Sequence, residues 1–479
     1  MIHADNMSLA LNTLLKQTMT PHLCDLRSNT HYLQRIAETL LMLLPLGYLI
    51  SSAVCDICIS GIAMCFLIQS ILKRDYHWLS QPWLQASCLF WIYLCITSRW
   101  AINPSSALVE SLTFARFPIL TAALANWLLC SPINHQRLQQ SVVLFAFFTC
   151  FDIFIQYITG VDLIGRHAEG VGANASLMNP ELFFNVDHFR RLTGLSNKWN
   201  IAGKLTLLAM PVMTLTAYQA SHTSNTLYRI LLLTLTALLA TSIMITGERT
   251  PIIVIGLSGM LSYALIPTIR RFIITSVCLT SAITGLILIS NPSLQTRVTA
   301  HMYSVAQVTV LDWKGDTKIS TSHAPLNDHG AIYYRLLINN SWQLFLNHPI
   351  IGIGIKQMPE TCQKEIPDNA DINFHGQSKF CPTSPANLYL ELLANTGIIG
   401  FVLFTIIVSQ WFRVLSHLRD DLKKQPNADT VFMLGLFVIW LMQFFPIMIN
   451  SSIFFAWHGI KIWWPIGWLM GFSNRRDSS

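Results

Sequence analysis

Ala386-Asn387-Leu388-Tyr389-Leu390-Glu391-Leu392-Leu393-Ala394-Asn395-Thr396-Gly397-Ile398-Ile399-Gly400-Phe401-Val402-Leu403-Phe404-Thr405-Ile406-Ile407 is the stretch on which the fold turns. Its apolar part extends over about 387–410. That run exceeds the roughly 20 apolar residues a membrane helix needs. The rest of the chain repeats the pattern. Of 479 residues, 52% are hydrophobic and 11% charged, with a mean hydropathy of +0.46; a soluble domain carries about 25% charged residues. Fourteen Trp and twenty-six Phe suit a chain with many bilayer and interface contacts. The net charge of +7 is spread in small groups between apolar runs, which argues against nucleic acid as a partner and for membrane lipids.

Twelve apolar runs of membrane-helix type lie at about 38–55, 57–73, 84–100, 107–130, 141–159, 200–219, 227–246, 251–268, 272–290, 387–410, 431–450 and 452–470. The expected fold is an all-α polytopic membrane protein of about twelve transmembrane helices. Residues 1–37 form a polar tail without the pattern of a cleaved signal. Helices one to nine occupy 38–290, a large ordered loop follows at 291–386, helices ten to twelve fill 387–470, and 471–479 form a second tail. Lys73-Arg74, Arg137, Arg229, Arg270-Arg271, Arg413, Lys423-Lys424 and Arg475-Arg476 then share one side, the cytoplasm by the positive-inside rule. Both termini lie there, and the 160–199 and 291–386 loops face outward.

The 291–386 loop is too long for a connector. Within it, Tyr333, Leu336, Leu337, Asn340 and Leu344 recur at helical spacing, so one side of a helix near 332–348 should pack. Pro349 ends that helix, and Gly352 and Gly354 make a turn.

Asn387, nine residues, then Gly397-x-x-Gly400 resembles a signature of the bacterial O-antigen ligase family of lipid-linked glycosyltransferases. The family places a His before that Asn, Ser or Gln; here the position holds Ala386. The run from Arg335 through Trp342 and His348-Pro349 to Gly352-Ile353-Gly354 is similar to the same group. So are Arg191-Leu192-Thr193-Gly194 and the turn Thr246-Gly247-Glu248-Arg249-Thr250. The likeness covers about 185–410 and implies a GT-C-like architecture in the bacterial inner membrane, with the active site facing the periplasm.

What the resemblance implies is transfer of a preassembled glycan from undecaprenyl diphosphate to a hydroxyl of lipid A-core, with no metal and no cofactor. Arg249 and Arg335, with Arg191, would hold the diphosphate. Guanidinium forks bind phosphate bidentately and stay charged at any working pH. Asn387, Trp342 and His375 would line the substrate site. The family His is a general base on the acceptor hydroxyl, which Ala386 cannot be. Three explanations stay open: a substituted inactive form, a different base, or a member that has lost activity or works by charge stabilisation alone. His375 is the nearest substitute base, ahead of His323, His329 and His348. An O-antigen polymerase, a protein-directed oligosaccharyltransferase and a lipid-oligosaccharide flippase are the alternatives. A flippase should show an internal repeat, and none is visible.

Asp312, Asp316, Asp328, Asp368 and Asp371 make no tight ligand cluster in the outer loop, so no metal site is expected. Cys362 and Cys381 are the only cysteines of that loop. An oxidising compartment would let them pair and close a short loop around His375.

Overall fold

The computed structural model describes residues 31–166, 192–196, 201–290, 329–367, 381, 383–424, 427–445 and 452–477. The protein is an all-α polytopic membrane protein. In chain order the helices are α1 (His31–Ile50), α2 (Ser52–Lys73), α3 (Pro82–Thr97), α4 (Pro104–Phe114), α5 (Arg116–Asn126) and α6 (Pro132–Thr159). Then come α7 (Ile201–His222), α8 (Thr226–Ile245), α9 (Arg249–Leu265), α10 (Arg270–Ser290), α11 (His329–Asn347) and α12 (Met358–Glu365). The chain ends in α13 (Leu388–Lys424), α14 (Ala428–Met442) and α15 (Ala456–Asp477). Among the described residues, 8 helical stretches are long and apolar enough to cross a membrane, and Thr250–Leu265 and Ala428–Met442 are shorter apolar helices.

Each of the twelve apolar runs overlaps a helix, but the ends differ from those that hydropathy suggests. The first two runs divide at Ser51, not near 56. Ser51 is extended (φ −152°, ψ 138°) and its hydroxyl accepts from Ala53 N, capping α2 inside an unbroken apolar stretch. The 107–130 run is two helices that meet at Ala115 and Arg116. At both ends of the chain, helix continues into the polar segments, back to His31 and on to Asp477. Polar residues such as Gln, Arg and Glu favour helix but lower hydropathy.

The bundle is built on the pairings of α14 with α7, α15 with α5, α1 with α2, and α13 with α3. Several tryptophans sit inside it and not at an interface. Trp411, Trp440 and Trp463 are fully buried. Trp411 meets Trp463 edge-on at 4.9 Å and Trp440 at 6.1 Å. Such edge-to-face pairs contribute about 0.5–1.5 kcal/mol beyond area burial. The outside is apolar instead: Ile274, Val277, Leu286 and Ile289 of α10 are exposed. A surface of that kind fits lipid, not water.

Candidate functional site

The site is organised by a break in α13. At Gly397 the backbone turns to φ 64°, ψ −170°, a region only glycine occupies without strain. The helix ladder is interrupted, and its freed groups are taken up by the 349–354 turn. Ile353 N donates to Ala394 O at 2.9 Å and Gly354 N to Asn395 O at 2.9 Å. Ile398 N donates to Pro349 O at 2.9 Å. Tyr93 Oη of α3 donates to Thr396 O at 2.7 Å. A Cβ on Gly397 would stand 2.2 Å from Ile350 O, and one on Gly352 would stand 2.4 Å from the Asn395 carbonyl carbon. The two glycine-containing patterns of the sequence are therefore one clamp.

The turn is fastened further along. Gln357 Oε1 accepts from Asn103 N at 2.8 Å, and Lys356 Nζ reaches Glu110 Oε1 of α4 at 2.5 Å. Behind it, Cys362 and Cys381 form a disulfide with an S–S distance of 2.09 Å. His348 Nε2 lies 2.9 Å from Glu365 Oε1, tying the end of α11 to α12. Leu337, Asn340, Ser341 and Leu344 form the buried side of α11. Trp342 is 42% exposed on another side, with its ring against Phe345.

Above the break, Asn387 caps the head of α13: its Oδ1 accepts from Tyr389 N at 3.0 Å and Leu390 N at 3.2 Å. Ala386, just before it, has φ +53°. Left-handed backbone is uncommon for a residue with a Cβ and is several-fold enriched in His, Asn and Asp. Tyr389 Oη donates to Phe444 O. Glu391 is 2% exposed and accepts from Ile453 N at 2.9 Å. These contacts bring Phe444 and Ile453, on either side of residues 446–451, beside the head of α13.

Arg249 is the first residue of α9. Glu248 before it is buried and within electrostatic reach of Lys461 of α15. The head of α9 thus lies within electrostatic reach of α15, and the head of α13 bonds to Ile453 just ahead of α15. Lys204, near the start of α7, belongs to this end of the bundle as well. Its Nζ donates to Ser196 Oγ at 2.8 Å and Leu49 O at 3.1 Å and lies 3.6 Å over the Trp457 ring. Next to it, Thr193 N and Gly194 N both donate to Gln156 Oε1 at 2.9 Å, which pins the segment after Arg191 to the end of α6.

Arg335 lies on α11, but its side chain and that of Arg249 are outside the described residues, as are Arg191, His323 and His375 altogether. The five loop aspartates are outside them too. Among the described residues, no group of three or more His, Cys, Asp or Glu converges as a metal site would. Lys204, Glu391 and Lys461 escaped the motif reading. Their signal was nonetheless present, since an ionisable residue inside an apolar run is a functional candidate by default.

The fold defines a polytopic membrane protein in which the ionisable residues Lys204, Glu248, Glu391 and Lys461 lie at one end of the bundle. Residues 234–405 match the O-antigen ligase family model. The matched region, which is similar to an O-antigen ligase domain, runs from α8 through the Gly397 clamp. No curated protein matches the chain.

Proposed function

We propose that the protein transfers a glycan from undecaprenyl diphosphate to a hydroxyl of lipid A-core, at the periplasmic face of the bacterial inner membrane. Arg249 and Arg335, with Arg191, hold the lipid diphosphate. The acceptor hydroxyl attacks the anomeric carbon while the C–O bond to the diphosphate breaks and its electron pair leaves on the diphosphate oxygen. Guanidinium groups suit that growing charge because they cannot lose a proton at working pH. Trp342, exposed on α11, and Asn387 at the head of α13 line the approach, together with His375.

The observation that carries this reading is the backbone of Ala386. A left-handed residue at the capped head of α13 is a conformation that histidine tolerates better than most side chains. The family's base can therefore stand there without moving the chain. Expected outcome: the Ala386→His protein, reconstituted with undecaprenyl-diphosphate glycan and lipid A-core, glycosylates lipid A-core. Elongation of the lipid-linked glycan instead would make it a polymerase. A folded Ala386→His protein that binds the donor and moves no glycan to either acceptor overturns the reading.

A further inference from the structure

We infer that Glu391 is the proton acceptor that stands in for the histidine missing at position 386; the inference rests on the transfer reaction proposed above. Ala386 can accept no proton, so the attacking hydroxyl must lose its proton to another group. Glu391 is on the same helix, and the helical rise from Leu388 places it only about 4.5 Å along the axis from the head of α13.

Its carboxylate is held and half used. Oε2 accepts from Ile453 N at 2.9 Å, and the Ser452 side chain also hydrogen-bonds the carboxylate. Oε1 is buried without a hydrogen-bond partner among the described residues. No lysine or arginine pairs with the group there either. An unpaired buried carboxylate oxygen is costly, and native proteins keep few of them. One turn further, Asn395 is 5% exposed, and its Oδ1 is likewise buried with no hydrogen-bond partner among the described residues. Residues four apart share a helix face, about 5–6 Å between Cβ atoms. Two acceptors without donors, side by side, match a ligand that carries hydroxyls. A sugar ring does.

In the proposed step the acceptor's hydroxyl donates to Glu391 Oε1 and a second hydroxyl donates to Asn395 Oδ1. The hydroxyl oxygen forms the new bond to the anomeric carbon, the bond to the diphosphate breaks, and the proton passes to Glu391 and afterwards to water. Atoms and charge balance with no further reactant. Oε2 needs no change, because the Ile453 N–H fixes the carboxylate throughout.

Glu391→Gln keeps an acceptor for Ile453 N and removes only the basic oxygen, so it separates chemistry from support. With Ala386 in place, Glu391→Gln should lower the transfer rate about 10²–10⁴-fold, the usual range for loss of a general base, with undecaprenyl diphosphate binding unchanged. In the Ala386→His background the same change should cost less than about tenfold, because the imidazole then takes the proton; a non-additive cycle of this kind marks two groups serving one step. Glu391→Gln at parental speed with Ala386 overturns the assignment. So does loss of transfer in Ala386→His with Glu391→Gln while Ala386→His alone is active, since Glu391 would then be structural. If Ala386→His alone is folded and inert, the transfer reading itself falls, and the assignment falls with it.

Discussion

The backbone at the Gly397 break and the side chains at the head of α13 treat their polar groups differently. On the clamp side, the carbonyls of 394 to 396 all accept, from Ile353 N, Gly354 N and Tyr93 Oη, and Ile398 N donates to Pro349 O. At the head, Ala386 sits in left-handed backbone, and Glu391 Oε1 and Asn395 Oδ1 are buried without hydrogen-bond partners among the described residues. One sequence pattern thus contains a part that holds and a part that, on the proposed reading, acts. Local rules are satisfied where the chain must be rigid and are broken where a ligand is to complete them.

The largest effect expected from this contrast is on folding. Gly397→Ala places a Cβ 2.2 Å from Ile350 O, against backbone that cannot swing away, in a conformation reserved for glycine. A loss above about 4 kcal/mol is expected, enough to abolish a folded species in detergent on size-exclusion chromatography. Gly203→Ala in α7 is the control, since its Cβ meets only Pro251 Cγ at 3.9 Å. It should be neutral or stabilising by up to about 1 kcal/mol. A well-folded Gly397→Ala protein would remove the clamp from the account.

On the acting side the signs reverse. Arg335→Ala and Arg249→Ala, each made with Ala386→His, should leave the melting temperature in place and slow transfer about 10²–10³-fold. Lysine at either position should recover only part of the rate, since a point charge lacks the bidentate fork. Normal transfer by both alanine proteins would detach these arginines from the diphosphate. A fall in melting temperature matching the fall in rate would move them to the holding side.

The helical membrane class was legible because apolar runs announce themselves, and the family likeness was legible from Asn387, Gly397 and Gly400. What hydropathy could not see was a capped break at Ser51, where polarity barely changes, or the kink that turns α13 into two arms. Nor could spacing show that Gly352 and Gly397 meet, because 45 residues separate them and only the backbone pairing reveals it. Glu391 was in plain view inside an apolar run. Its meaning depended on Ile453, which lies 62 residues away.

The smallest effect sharpens what the clamp is made of. Lys356 and Glu110 form an ion pair between the 349–358 turn and α4, with side-chain exposures of 48% and 19%. A pair half open to solvent contributes about 0–1 kcal/mol and weakens as salt rises. If backbone bonds to α13 hold the turn, Lys356→Met should cost less than about 1 kcal/mol, and a cycle with Glu110→Gln should show a coupling that fades in high salt. Melting curves of the four proteins at low and high ionic strength measure it. A coupling above about 2 kcal/mol that survives salt would mean that side chains seat the turn. The backbone clamp would then be the consequence of that seating and not its cause.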